Sequence, residues 1–204
     1  MTSIARAIQV MHERYNIPHI VITSVSLPHP DHPVSSLSVV GSSMTSDRRP
    51  RAFKIVFPAI DCYFSGTGDM FAALMVVRMR EAVHNGHQGQ GEEGQGGGSL
   101  LMERASWLSE DSVDALDLPL AKAAEKVLAS MHEVLSKTAE NMERAEKKAR
   151  AGVAADVDGI PTGTEAEAEA KKAHLLKSKA AELRLVRHLD SLRFPKVEFR
   201  ATRL

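Results

Sequence analysis

The chain has a single cysteine among its 204 residues, few aromatic residues and no net charge. One cysteine, Cys62, excludes a disulfide within the chain and favours a reducing compartment. The 26 basic and 26 acidic residues balance, so there is no basic excess of the kind that nucleic acids or anionic membranes attract. No apolar run approaches the length of a membrane-spanning helix, and no basic and apolar leader opens the sequence. These absences predict a cytoplasmic protein with neither nucleic acid nor membrane as a partner.

What the sequence does contain is enough apolar material for one core, since 43% of its residues are hydrophobic and 25% are charged. Apolar residues at helical spacing predict a helix over residues 3–16, which Pro18 ends. The β-branched run at 20–23 is apolar on both faces and predicts a strand buried in a parallel sheet. Alternating residues at 37–40 and 53–57 predict two antiparallel strands. We expect the strand that would precede the first helix to lie outside this chain.

The second half of the sequence alternates between apolar helices and segments of low complexity. The segments at 84–99 and 151–164 predict disordered insertions, the first because it contains almost no apolar residue to bury and the second because it reads as a linker. Apolar residues predict a helix over 70–80 and a long helix over 119–150, packed in its first half and solvated in its second. The pattern leaves 100–117 undecided between a short helix and part of the insertion. The tail should dock on the core through its apolar residues, which are Leu183, Leu185, Val186, Leu189, Leu192, Val197 and Phe199.

A glycine turn stands out in the segment FSGTGDMFAAL, residues 64–74. Glycines at 66 and 68 permit positive φ and let a ligand approach the backbone. A helix that begins near Thr67 would point unpaired N–H groups and its positive dipole end at whatever lies in front of it. Asp69 would stand in the first turn of that helix. The pattern is typical of an anion-binding site, or of a plain glycine turn followed by a helix with an acidic residue near its start.

Two further features could carry chemistry. His29 and His32 have a spacing found in metal sites, but Asp31 is the only further metal-ligating residue beside them. A proline-rich loop would also hold metal ligands poorly in a fixed geometry. Cys62 has no histidine near it in sequence and no marked electropositive setting, so we favour a small, half-buried residue over a nucleophile. The sequence therefore predicts no metal site made of protein ligands.

The segment at 64–74 resembles the catalytic signature of the ribokinase-like small-molecule kinases, and GTGD followed by a large apolar residue and Phe-Ala-Ala is most similar to the pyridoxal kinase branch. Residues 20–28, IVITSVSLP, resemble the strand and nucleotide-phosphate loop of that branch. The end of the chain, from 182 to 202, resembles its C-terminal tail. The resemblance covers 4–82 and 119–204. It implies an α/β fold, a ribokinase-like three-layer sandwich that is incomplete because its N-terminal half is absent.

The resemblance also implies an activity, which is phosphoryl transfer from ATP to the 5'-hydroxymethyl group of pyridoxal, pyridoxine or pyridoxamine in vitamin B6 salvage to pyridoxal 5'-phosphate. Asp69 would be the catalytic base, and the N–H groups of Gly66, Thr67 and Gly68 would form the anion hole. The implied ATP-binding residues are Thr23, Ser24, Ile60, Asp61, Cys62 and Thr67. Mg²⁺ would accompany ATP, a monovalent cation such as K⁺ would lie near the nucleotide loop, and the full-length protein would be a homodimer.

Members of this family carry an N-terminal half with substrate-contacting residues, a lid and a motif that helps to hold magnesium, and we find none of these in the sequence. We therefore expect residues 1–204 to be the C-terminal part of the domain, with the ATP site and the catalytic base. On its own the chain should bind vitamer weakly or not at all, and it could be inactive. Two alternatives stay open: another ribokinase-like kinase, acting on a hydroxymethylpyrimidine, a sugar or a nucleoside, and a non-catalytic helical interaction module formed by residues 120–190.

Overall fold

A computed structural model describes residues 2–26, 35–85, 101–153 and 181–204, together with Lys171, Leu175 and Lys179. The elements in chain order are α1 (Thr2–Tyr15), β1 (His19–Val25), β2 (Ser36–Met44), β3 (Pro50–Pro58), α2 (Thr67–Asn85), a 3₁₀ helix (Ala105–Trp107), α3 (Pro119–Val153), a second 3₁₀ helix (Leu185–His188), α4 (Leu189–Arg193) and β4 (Ala201–Arg203). Several predictions fall outside the described residues, namely those for His29, Asp31, His32, 86–99 and 154–164.

The four strands form one antiparallel sheet in the order β1-β2-β3-β4. Strands β2 and β3 make the hairpin that the alternating pattern predicted, with Val39 opposite Ile55 and Gly41 opposite Phe53. The last strand, β4, pairs with β3 and places Ala201 opposite Ile55. The end of the chain therefore adds a strand to the sheet.

The prediction of a buried parallel strand at β1 is wrong for the part of the chain that the structure describes. There β1 lies at one edge of the sheet, pairs antiparallel with β2, and contains no fully buried residue. The prediction failed because an apolar run indicates only that its side chains tend to be buried. It does not indicate whether the neighbouring strand is parallel or antiparallel.

Helices cover both faces of the sheet and give it three layers. Successive strand residues point to opposite faces. Phe53 and Ile55 pack on one face against residues of α2 and α3 in a single hydrophobic core. On the other face, the fully buried His12 of α1 donates from Nδ1 to the carbonyl oxygen of Ile17 (2.6 Å), and its Nε2 forms a hydrogen bond with the hydroxyl of Ser42 (2.9 Å). This is the three-layer α/β arrangement that the resemblance implied.

Helix α2 continues to Asn85 and includes His84, which the pattern placed in a disordered insertion. The predicted end lay about one turn earlier. Two contacts explain the extra turn. Val83 is completely buried, and Glu81 forms an ion pair with Lys126 of α3 at 2.9 Å. Burial and this ion pair hold the last turn against α3.

In its described part, 101–117, the stretch that the pattern left undecided is helical at 101–103 and then consists of turns and the 3₁₀ helix. Asp111 accepts hydrogen bonds from the backbone N–H and the hydroxyl of Ser46. Arg51 donates to three carbonyl oxygens of the stretch, the closest at 2.6 Å. Polar contacts to the β2–β3 hairpin therefore hold this stretch, and hydrophobic periodicity could not have predicted them.

His19 joins β1 to the same stretch and should make stability depend on pH. Its Nε2–H donates to the carbonyl oxygen of Ser106 (2.7 Å), and its Nδ1 accepts from the hydroxyl of Ser43 (2.8 Å). Burial lowers the pKa of His19 from its usual 6.5. The hydrogen bond to Ser106 raises this pKa in part, and the charges of His12 and Arg51 lower it further. As the pH is lowered, the unfolded state binds this proton at a higher pH than the folded state does. The free energy of unfolding should therefore decrease as the pH drops below about 6.5, by at most about 1.4 kcal/mol per pH unit.

Urea unfolding between about pH 5 and about pH 7.5 measures this dependence. His19→Gln should make the fall shallower, because the titrating group is gone. His84→Gln, at the exposed end of α2, is the matched control and should keep the slope of the wild type. A His19→Gln variant with the wild-type slope would contradict the prediction.

Residue contacts divide the chain into two compact units. The first contains the sheet and the core, and consists of Met1–Ala59, Asp69–Ala129 and Lys196–Leu204. The second contains the later part of α3 and α4, and consists of Ile60–Gly68 and Ser130–Pro195. Within the second unit, Lys137 of α3 donates to the hydroxyl of Ser191 in α4 at 2.6 Å.

Helix α3 is the long helix that the pattern predicted, but it continues to Val153, three residues into the segment that the pattern placed in a disordered insertion. Its described side chains are mostly buried from Leu120 to Val134 and mostly exposed from Glu143 onward, as expected of a helix that packs in its first half. In the described residues, no helix is long and apolar enough to cross a bilayer.

The predicted docking of the tail holds for Phe199, which packs against the core of the first unit. It is wrong for Leu185, Val186 and Leu189, whose exposed fractions are 37%, 82% and 41%. These residues lie in a 3₁₀ turn and at the start of a five-residue helix, and the side chain buried there is that of Ser191. Apolar content indicates a tendency to be buried, but a short irregular segment can present such side chains to solvent.

Candidate active site

The glycine turn has the backbone geometry that the sequence predicted. Gly66 has a φ of 81°, which glycine adopts at little cost, and α2 begins directly after it at Thr67. A Cβ atom added to Gly66 or to Gly68 would meet no described atom within 4 Å, so the space beside both residues is open. The first N–H groups of α2 have no partner inside the helix, and together with the helix dipole they favour an anion there.

Asp69 lies in the first turn of α2, and its side chain is exposed. One carboxylate therefore stands beside the N–H groups that favour an anion. A carboxylate in this position can accept the proton of a hydroxyl group that attacks a bound phosphoryl group. The same position also suits an acidic residue that only interacts with the helix dipole.

The predicted phosphate loop coincides with an irregular end of β1. The pairing of β1 with β2 shifts between Ile22 and Val25, as in a β-bulge, and Ser24 has a φ of 55°. A positive φ in a residue with a side chain costs of the order of 1–3 kcal/mol, and such residues cluster at ligand sites. The side chains of Thr23 and Ser24 are both exposed, so both hydroxyl groups are open to a ligand.

Residues 60–65 lead into the glycine turn as an irregular segment. The N–H of Cys62 donates to the carbonyl oxygen of Ile60 at 2.8 Å, which makes a tight turn centred on the exposed Asp61. Cys62 is a free, half-buried cysteine, as predicted, and its sulfur lies 3.4 Å from that of Met142.

The structure thus brings Gly66, Thr67, Gly68 and Asp69 together at the start of one helix. Thr23 and Ser24 lie at the end of β1, and residues 60–62 precede the turn. The sequence offered no sign of the strained backbone at Ser24 and assigned no role to the exposed Tyr63. The described part of the chain contains no group of three or more histidine, cysteine, aspartate or glutamate side chains that could hold a metal ion.

Comparison with known proteins adds a relative and several structures. The chain is 28% identical over 137 residues to the "Putative pyridoxal kinase" of Schizosaccharomyces pombe, an alignment that covers 67% of this chain and 35% of that protein. No protein-family model matches the chain. Its structure matches that of pyridoxal kinase from Leishmania donovani in complex with ADP, with a TM-score of 0.57, 18% identity and coverage of 100% of this chain and 45% of that one. The complex of the same enzyme with ADP and pyridoxamine matches with a TM-score of 0.51 at 18% identity, over 94% of this chain and 41% of that one.

The chain therefore spans less than half the length of the proteins that it matches. The relative confirms the resemblance to pyridoxal kinases that the glycine turn predicted, and the solved structures confirm the fold class. In sequence the chain is similar to a pyridoxal kinase, and it has the ribokinase-like α/β fold of part of one.

Proposed function

We propose that this chain carries the ATP site and the catalytic base of a pyridoxal kinase, an enzyme that phosphorylates the 5'-hydroxymethyl group of pyridoxal, pyridoxine and pyridoxamine in vitamin B6 salvage. The observation that carries the proposal is the start of α2, where Gly66 has positive φ, the space beside the turn is open, and Asp69 stands in the first helical turn. The similar structures contain ADP, and one also contains pyridoxamine, which supports a nucleotide and a vitamer as ligands.

In the proposed reaction, Asp69 accepts the proton of the vitamer hydroxyl as its oxygen bonds to the γ-phosphorus of ATP and the bond to the leaving ADP breaks. The N–H groups at Gly66, Thr67 and Gly68 stabilise the negative charge on the transferred group. Thr23 and Ser24 contact the phosphates through their exposed hydroxyl groups. The nucleotide is flanked by Ile60, Asp61 and Cys62. The protein contributes positioning and charge stabilisation, which is most of what phosphoryl transfer requires.

Magnesium fits this proposal as a companion of ATP. Mg²⁺ is usually held by one or two carboxylates, substrate phosphates and water, and the described residues offer exposed carboxylates near the turn at Asp61 and Asp69 but no cluster of three metal-ligating side chains. When bound, it would neutralise charge on the phosphates. A K⁺ ion near Thr23 and Ser24, a homodimer and a cytoplasmic location stay predictions.

Calorimetric titration of the whole chain with ADP and Mg²⁺ tests the proposed site. Gly68→Asp places a negative charge beside the turn, where a Cβ atom has room, and should weaken ADP binding by at least about tenfold through repulsion of the phosphates. Gly68→Asn has nearly the same shape without the charge. It is the matched control and should bind ADP within about threefold of the wild type.

A wild-type chain that binds no ADP would contradict the proposal. Equal weakening by the two Gly68 variants would show that crowding, and not charge, matters at this position. Steady phosphorylation of pyridoxal by the chain alone at a low KM would contradict only the expectation that it binds vitamer weakly. Rates with a hydroxymethylpyrimidine, a sugar and a nucleoside, compared with the pyridoxal rate, test the choice of substrate.

A further inference from the structure

We propose that the ring of Tyr63 stacks on the base of the nucleotide bound at the glycine turn. The inference rests on the proposed function, because it takes the turn to be the phosphate site. Tyr63 has an exposed fraction of 83%, the highest among the large hydrophobic side chains in the described residues. A buried aromatic ring contributes strongly to packing, so a ring left this open beside a ligand site is available for the ligand.

The exposure of Tyr63 differs from that of its neighbours. From residue 62 to residue 65 exposure alternates, with Cys62 and Phe64 half-buried and Tyr63 and Ser65 exposed. Cys62 faces Met142 of α3, where the two sulfur atoms are 3.4 Å apart. Tyr63 and Ser65 are therefore the open side chains of this segment, and Ser65 leads directly into the turn.

The distances suit a nucleotide. Gly66 is three positions after Tyr63, and even an extended chain of this length spans at most about 10 Å. A nucleotide whose terminal phosphate lies at the turn can reach a residue at this distance with its ribose and base. Tyr63 lies between the proposed nucleotide-flanking residues, 60–62, and the turn. Its ring offers a flat π-face and few rotatable bonds, which suits the stacking of a purine base.

Calorimetry with two ligands tests the inference. Tyr63→Ala should raise the Kd for ADP by about 5-fold to about 100-fold, the usual effect of losing one aromatic stacking partner. The same variant should bind tripolyphosphate, which has phosphates but no ring, within about twofold of the wild type. Tyr63→Phe keeps the ring and should bind ADP like the wild type. Tyr15→Ala removes another exposed tyrosine, 67% exposed on α1, and is the matched control.

Each other result contradicts either this inference alone or the inference together with the proposed function. If the wild type binds ADP and Tyr63→Ala binds it equally well, the inference is wrong and the proposed function stands. If Tyr63→Ala weakens ADP and tripolyphosphate to the same extent, Tyr63 supports the turn and does not stack on a base. If Tyr63→Ala weakens pyridoxal binding but not ADP binding, the ring contacts the vitamer instead. If the wild type binds neither ADP nor tripolyphosphate, both the proposed function and this inference fail.

Discussion

Replacement of Asp69 by asparagine should lower kcat/KM for phosphoryl transfer to pyridoxal by about 10²-fold to 10⁴-fold, the usual contribution of a positioned base. The same variant should bind ADP as well as the wild type or slightly better. An amide has nearly the volume of the carboxylate but cannot take the proton of the attacking hydroxyl, and it removes a negative charge from the neighbourhood of the phosphates. Loss of rate without loss of nucleotide binding is the result that distinguishes a base from a residue needed for folding.

The rate is measured with saturating MgATP and with protein at high concentration, because weak vitamer binding raises KM and leaves kcat/KM as the useful quantity. ADP affinity is measured on the same preparations by calorimetry. Asp190→Asn changes another exposed aspartate in the first turn of a helix, α4, and is the matched control. If Asp69→Asn lost ADP binding and rate together, Asp69 would be a binding or folding residue and its role as the base would be wrong.

The part of the candidate site that depends on local geometry could be predicted from the sequence. The positive φ of Gly66 and the helix that begins at Thr67 follow from a few neighbouring residues, because glycine tolerates that backbone and the apolar residues after it have helical spacing. The β2–β3 hairpin was predictable for the same reason. Its alternating residues specify both the strand conformation and the face that is buried.

What could not be predicted depends on contacts between residues that are far apart in the sequence. The positive φ of Ser24 belongs to an irregularity in the pairing with β2. A Cβ atom on Gly41 would clash with the ring of Phe53, and only the strand register reveals that contact. The hydrogen bonds of Arg51 to carbonyl oxygens about 60 residues away leave no trace in hydrophobic periodicity.

The roles proposed for Thr23, Ser24 and residues 60–62 have a different basis from that of the glycine turn. Exposed hydroxyl groups and a half-buried cysteine are common features of protein surfaces, so their chemistry alone does not indicate a nucleotide. These roles rest on resemblance to the pyridoxal kinases. The start of α2 differs, because its open N–H groups and the positive φ of Gly66 favour a phosphate on physical grounds.

Arg200→Met should lower the free energy of unfolding by about 3 kcal/mol, because it leaves a buried carboxylate without its positive partner. The side chain of Glu125 in α3 is only 6% exposed. Its Oε2 accepts from Nη1 of Arg200 at 2.9 Å, and its Oε1 accepts from the backbone N–H of Ala201 at 2.8 Å. The two partners are not equivalent. Arg200 is 67% exposed and would be solvated without Glu125, whereas Glu125 without Arg200 would remain a buried charge.

This asymmetry can be measured by urea unfolding of a double-mutant cycle. Glu125→Gln should cost only about 1 kcal/mol, because the amide oxygen still accepts from the N–H of Ala201 and no buried charge remains. In the Glu125→Gln background, Arg200→Met should cost about 2 kcal/mol less than it does alone. Lys196→Met, in an exposed ion pair with Glu198, is the matched control and should cost under about 0.5 kcal/mol. Equal costs for the Arg200 and Lys196 variants would show that this buried pair does not hold β4 to α3.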